Sequence, residues 1–321
     1  MLLSCFANNG SAQVPKTVGQ IEILSSAAER YLNTDTKIEV LAGGFTWTEG
    51  PVWNEDDAGG HLLFSDIPRN TIYRWSAARG IETFLHPSGY TGVTYYGLEP
   101  GSNGLAIDAK GQLTMCEHGD RRISVLTRGG GKRTLVDHFQ GKRLNSPNDL
   151  TFGPSGELYF TDPIYGLPDR ANDPRRELDF CGVYRLATNG SLTLLTKELA
   201  RPNGIGLSPD AKTLYVAQSD SARPVWMAYP FDIDGNIGSG TELFSAKRFM
   251  KDQPGAPDGL TVAKDGTLFA SGPGGVYLIT PAGKLIARIL VGGRVSNCTF
   301  DSDESYLYIT ADDKLCRVRM N

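Results

Sequence analysis

The chain has 321 residues, 32 of them basic and 36 acidic, for a formal charge of -4. That near-balance gives no electrostatic reason to expect a nucleic-acid partner, and an apolar content of 40% supports a packed core rather than disorder. No run approaches the roughly 18 apolar residues of a membrane-spanning helix. The cysteines, Cys5, Cys116, Cys181, Cys298 and Cys316, are odd in number and form no C-x-x-C pair, so neither a zinc knuckle nor a disulfide framework is signalled.

In chain order, "MLLSCFANNGSAQVP" opens with a short apolar run followed by small residues and resembles the remnant of an export signal. The stretch "VGQIEILSSAAERYLN", Val18–Asn33, reads as a short helix leading into the domain. Residues 1–34 are therefore expected to be an N-terminal extension, and the location periplasmic or secreted. Residues 35–321 read as one domain of short strands separated by Gly, Pro, Asp and Asn, an all-β signature. The early strand "KIEVLAGG" is expected to pair into the last repeat.

Within that domain one phrase recurs. "EGPVW" at Glu49, "NGLAI" at Asn103, "NDLTF" at Asn148, "NGIGL" at Asn203, "DGLTV" at Asp258 and "NCTF" at Asn297 each set a carboxylate or amide before a short apolar strand. A turn and a second strand follow each: "GHLLFSD", "GQLTMCE", "GELYFTD", "KTLYVAQ", "GTLFASG" and "SYLYITA". Steps of roughly 40 to 55 residues match a four-stranded propeller blade, and six phrases predict a six-bladed β-propeller. The innermost strand of each blade faces the central channel, so the lead residues would form a ring about one axis.

Carboxylates and amide oxygens are hard ligands, suited to Ca²⁺ or Mg²⁺. Glu49 and Asp258 would neutralise a divalent ion, with Asn148 and Asn203 adding neutral oxygens. Asn103 is a candidate contact to substrate or metal-bound water, and Asn297 reads as structural. His118, in "CEHGDRR", is placed to reach the channel mouth, and Tyr165, in "DPIYGL", to wall the pocket. No G-x-S-x-G elbow, H-E-x-x-H pair or P-loop is present, so a serine-hydrolase reading has no nucleophile.

"TEGPVW", "GKRLNSPNDL…GELYFTDPIYG", "ARPNGIGLS" and "GAPDGL" together resemble the senescence-marker-protein/gluconolactonase/luciferin-regenerating-enzyme family, bacterial gluconolactonase branch. The resemblance runs from about Phe45 to the C-terminus. It implies a propeller with one divalent metal in the channel, Ca²⁺ first, with Mg²⁺, Mn²⁺ or Zn²⁺ as alternatives. The implied ligands are Glu49, Asn148, Asn203 and Asp258, with Asp258 also serving catalysis, as base or as nucleophile. The implied activity is hydrolysis of a small sugar lactone, gluconolactone in type, to the aldonic acid. Some animal members have an arginine where this chain has Ser146, so their sugar contacts do not transfer. The alternatives are an organophosphate hydrolase or a non-enzymatic calcium- or ligand-binding propeller. Related phosphotriesterases use a histidine late in the chain, whereas His61, His86, His118 and His138 all lie in the first half.

Overall fold

A computed structural model describes residues 16–56, 59–233 and 235–321. The export-signal reading falls on residues 1–15, outside the described residues. The rest forms a six-bladed β-propeller, each blade an antiparallel sheet ordered outward from the axis. The innermost strands are Thr48–Asn54, Ser102–Ile107, Leu150–Phe152, Pro202–Leu207, Leu260–Val262 and Val295–Phe300, for blades 1 to 6 in turn. Every one of the six phrases thus opens an innermost strand or stands directly before it.

The helix expected over Val18–Asn33 does not form. Gln20–Ile23 is instead a strand on the outer edge of blade 5, pairing with Ala287–Leu290, and only Ser26–Ala28 makes a single 3₁₀ turn. Thr17–Val18 extends blade 6 beside Ile38–Gly43, which pairs with the C-terminal strand Lys314–Arg319. Apolar residues at Val18, Ile21, Leu24 and Ala28 imitate helical spacing. An open sheet edge gives the backbone a ladder to join, which outweighs weak local helix preference. Thr17–Val18 and Gln20–Ile23 are therefore part of blades 6 and 5, not of a separate extension.

The second strand of each blade is buried on both faces, and this divides the core into blade–blade layers. Leu63 of blade 1 packs against Leu105 and Met115 of blade 2. Cys116 and Ile123 pack on Phe160 and Tyr184 of blade 3, and Tyr159 and Val183 on Ile205 and Val216 of blade 4. Tyr215 and Trp226 meet Leu268 and Tyr277 of blade 5, and Phe269 meets Cys298 and Ile309 of blade 6. Tyr308 and Leu315 then close on Leu62, Phe64 and Trp75 of blade 1. Truncating one such large aromatic to alanine typically costs about 3–5 kcal/mol.

Near the axis the neighbouring blades touch backbone to backbone. The amide of Gly104 donates to the Asn148 carbonyl at 2.7 Å, that of Gly204 to Asp258 at 3.1 Å, and that of Gly259 to Ser296 at 2.6 Å. At Gly204 a Cβ would lie 2.3 Å from the Asp258 carbonyl oxygen, so only glycine permits this approach. Register shifts between Glu49 and Val52, Ser102 and Leu105, and Pro202 and Ile205 release these residues from their own ladders. Such bulges re-aim side chains, here the lead residues of the repeat.

Candidate active site at one mouth of the channel

A cavity of about 510 Å³ opens at one end of the channel, and Glu49, Asn103, Asn148, Asn203 and Asp258 all line it, with Tyr165. Five of the six lead residues therefore share one wall. The sixth, Asn297, lies instead along a second cavity of about 560 Å³ at the opposite mouth, with Asp149 and apolar strand residues such as Val52, Leu105 and Leu260. Its Nδ2 donates to Asp149 Oδ2 at 3.2 Å.

In blades 1, 3 and 4 the loop that enters the innermost strand is clamped by the end of the second strand. Asp66 accepts the amides of Thr46 and Trp47, Asp162 those of Asn145 and Ser146, and Gln218 Oε1 that of Arg201. These clamps fix the approach to Glu49, Asn148 and Asn203. They stand at the ends of "LLFSD", "LYFTD" and "LYVAQ".

Electrostatically the axis is crowded with acid. Burial pushes Glu49 up to about 8, helped by the charge of Asp149 and opposed by the Gly50 amide, which donates to its Oε2 at 3.0 Å. Asp258 is also pushed well up, by burial first and then by the charges of Glu49 and Asp149, against a hydrogen bond from Asn203. Asp149 itself is raised to about 7 by burial. Asp258 Oδ1 is buried with no hydrogen-bond partner, an expensive condition for a carboxylate. Asn203 Nδ2 donates to Ser219 Oγ at 3.0 Å, and Ser219 Oγ donates to the Pro257 carbonyl at 2.6 Å.

That donor set fits a hard divalent cation: two carboxylates, one of them with an orphaned oxygen, and two amides on one cavity wall. Among the described residues no group of three or more His, Cys, Asp or Glu side chains is arranged to hold a metal. The set here has two carboxylates, its remaining donors being amides.

Tyr165 walls the cavity as expected, its hydroxyl raised to about 12 by burial, so it is a donor at neutral pH. His118 is fully buried behind Asn103 and forms no part of the cavity wall, a departure from the expected substrate contact. Residues that the repeat did not mark also line the mouth: Trp47, Glu99, Arg170 and Arg294. Arg170 pairs with Glu99 at 2.7 Å, and Arg294 pairs with Asp312 at 2.7 Å while lying over the Trp47 ring. Asp149 was legible as the carboxylate standing where other phrases have glycine. Glu99 belongs to a loop with no repeat and had no such signal.

Fold and site together define a six-bladed propeller with an oxygen-lined axial pocket. Residues 47–313 match the family described as the SMP-30/gluconolactonase/LRE-like region, and the chain belongs to that family. It is 40% identical to the gluconolactonase of Zymomonas mobilis over 97% of this chain and 90% of that protein. It is also similar to the solved structure of a gluconolactonase from Xanthomonas campestris, with a TM-score of 0.83 and 31% identity over 96% of this chain and 97% of that one. Regucalcin from Agrobacterium tumefaciens, a calcium-binding protein, shares the fold with a TM-score of 0.67 at 20% identity, over 88% of this chain and 93% of that one.

Proposed function

We propose that this protein is a divalent-metal-dependent lactonase that opens a sugar lactone of the gluconolactone type to the aldonic acid. The observation that carries the reading is the buried, unpartnered Asp258 Oδ1 at the cavity wall, in a chain so similar over its length to a gluconolactonase. Glu49, Asn148, Asn203 and Asp258 would hold the metal, with Ca²⁺ the first choice. A divalent cation there would supply positive charge that favours the ionised form of Asp258 and a Lewis acid for the lactone carbonyl.

Asp258 then takes a proton from water as the water oxygen attacks the carbonyl carbon. It returns the proton to the ring oxygen as the ring C–O bond breaks. The Tyr165 hydroxyl, held protonated, donates to substrate oxygens. Arg170 and Arg294 are already matched to Glu99 and Asp312, which suits a neutral polyhydroxy substrate.

The test is a panel of sugar lactones and organophosphate triesters, assayed before and after chelation and with Ca²⁺, Mg²⁺, Mn²⁺ or Zn²⁺ restored. Lactone turnover lost on chelation and recovered with a divalent ion is expected. Turnover confined to the triesters, or cation binding with no turnover at all, would sink the proposal.

A further inference from the structure

Behind the cavity wall three side chains form a line whose order decides how one of them faces the substrate. Glu99, on the wall, has Oε1 bound to Arg170 Nη2 at 2.7 Å and Oε2 3.5 Å from His118 Nδ1. That nitrogen is buried and makes no hydrogen bond, and the Glu99 carboxylate faces it across this gap. The other imidazole nitrogen, Nε2, stands 3.3 Å from Asn103 Nδ2. The histidine is fixed from several sides. Its backbone amide donates to the Gly101 carbonyl at 3.1 Å, its carbonyl accepts from the Tyr96 hydroxyl at 3.2 Å, and a Cβ on Gly166 would come within 2.5 Å of its side chain.

We propose that His118 is a positioning residue. Through it Glu99 turns the Asn103 amide so that Oδ1 faces the cavity and accepts a hydrogen bond from a hydroxyl of the substrate. The proposal rests on the lactonase reading above and adds a specificity element to it. A carboxylate can only accept at neutral pH, so Glu99 places the imidazole proton on Nδ1. Nε2 is then an acceptor and requires a donor, which among the described residues the NH₂ of Asn103 supplies. With the NH₂ turned back to His118, the carbonyl oxygen is what remains for the cavity. In the neutral imidazole the reversed amide would need the proton on Nε2 and would leave a bare Nδ1 lone pair against the Glu99 carboxylate. Because an amide oxygen accepts and never donates, the element selects substrates with a hydroxyl at that place.

Two measurements test this. The first is the nitrogen NMR spectrum of His118 in ¹⁵N-labelled wild-type protein, which needs no activity. A proton on Nδ1 with a bare Nε2 is expected, and a proton on Nε2 overturns the proposal. The second is steady-state kinetics of Asn103→Ala, His118→Leu, His118→Gln and the Asn103→Ala/His118→Leu pair on D-glucono-1,5-lactone and on δ-valerolactone, which has no hydroxyl. One lost hydrogen bond corresponds to about a three- to tenfold rise in KM. That rise is expected for Asn103→Ala and His118→Leu with gluconolactone alone. The double variant should be no worse than Asn103→Ala, and His118→Gln, which keeps an acceptor towards Asn103, should retain the wild-type value. Equal losses on both lactones, or additive losses in the double variant, overturn it. If the wild type opens neither lactone, the lactonase reading fails, while the spectrum still decides how His118 holds Asn103.

Discussion

Asn297 and Asp149 are joined across the channel axis: Asn297 Nδ2 donates to Asp149 Oδ2 at 3.2 Å, linking blade 6 to blade 3, which stand opposite each other in the ring. Asp149 Oδ1 also accepts from the Leu150 amide at 2.9 Å. Asn297 is held in turn by Gly259, where a Cβ would lie 2.0 Å from its amide carbon. The bond is thus a tie rod beneath the five residues of the cavity ring.

Cutting that tie should cost stability without touching the cavity wall. Asn297→Ala leaves a buried carboxylate oxygen unmatched, and the expected loss is about 1–3 kcal/mol. Thermal denaturation should register this as a midpoint lowered by a few degrees. Asn297→Asp, which sets a second acid against Asp149, should be worse than alanine. Equal stability of the asparagine and aspartate forms would contradict the role given to the bond.

Asp258 can be separated into ligand and base. Asp258→Asn keeps the shape and one oxygen but loses the proton acceptor, so lactone turnover should fall about 10²–10⁴-fold and stay low at saturating metal. Asn148→Asp adds a charge yet spares Asp258, and should change metal preference while retaining turnover. Metal occupancy is measured separately for both. Near-normal rates from metal-loaded Asp258→Asn would reduce Asp258 to a ligand. His118 is then no substitute base, because its Nε2 faces Asn103.

Cation affinity should rise with pH. Burial and mutual repulsion hold Glu49 up to about 8 and Asp258 well above its ordinary range, so at pH 7 the cation-free site retains protons. A cation must displace them. Apparent affinity should therefore climb from pH 6 through pH 8. Calorimetry in two buffers of different ionisation enthalpy should show protons released at pH 7. Proton uptake, or no pH dependence over that range, would contradict this account.

Much of the site was legible because the repeat is written in residue type. Glu49, Asn103, Asn148, Asn203 and Asp258 each lead a strand, and one architecture turns a sequence period into a spatial ring. Asn297, which reads as structural in the sequence, lies along the opposite cavity and bonds Asp149 instead. The missed residues fall into two groups. Asp66, Asp162 and Gln218 end the second phrase and act through backbone amides that no sequence pattern displays. Glu99, Arg170 and Arg294 come from connecting loops, whose positions are set by tertiary packing rather than by a period. Val18–Asn33 misled because apolar spacing cannot reveal a free sheet edge elsewhere in the fold.

The closing of the ring has a consequence for the order in which the protein is made. Lys314–Arg319, the last strand of the propeller to be made, lies against Ile38–Gly43, among the first, with Arg317 paired to Glu39 at 2.7 Å. Blades 1 to 4 are each built from one continuous stretch and can form as they emerge. Blade 5 awaits only the docking of Gln20–Ile23, made long before. Blade 6 has no such freedom, since its inner three strands are made after every other blade while its two outer strands wait. Until then Leu62, Phe64 and Trp75 of blade 1 lack their partners Tyr308 and Leu315. A nascent chain stalled a few dozen residues short would carry an apolar face and an unpaired strand edge, the two features that recruit chaperones or neighbouring chains.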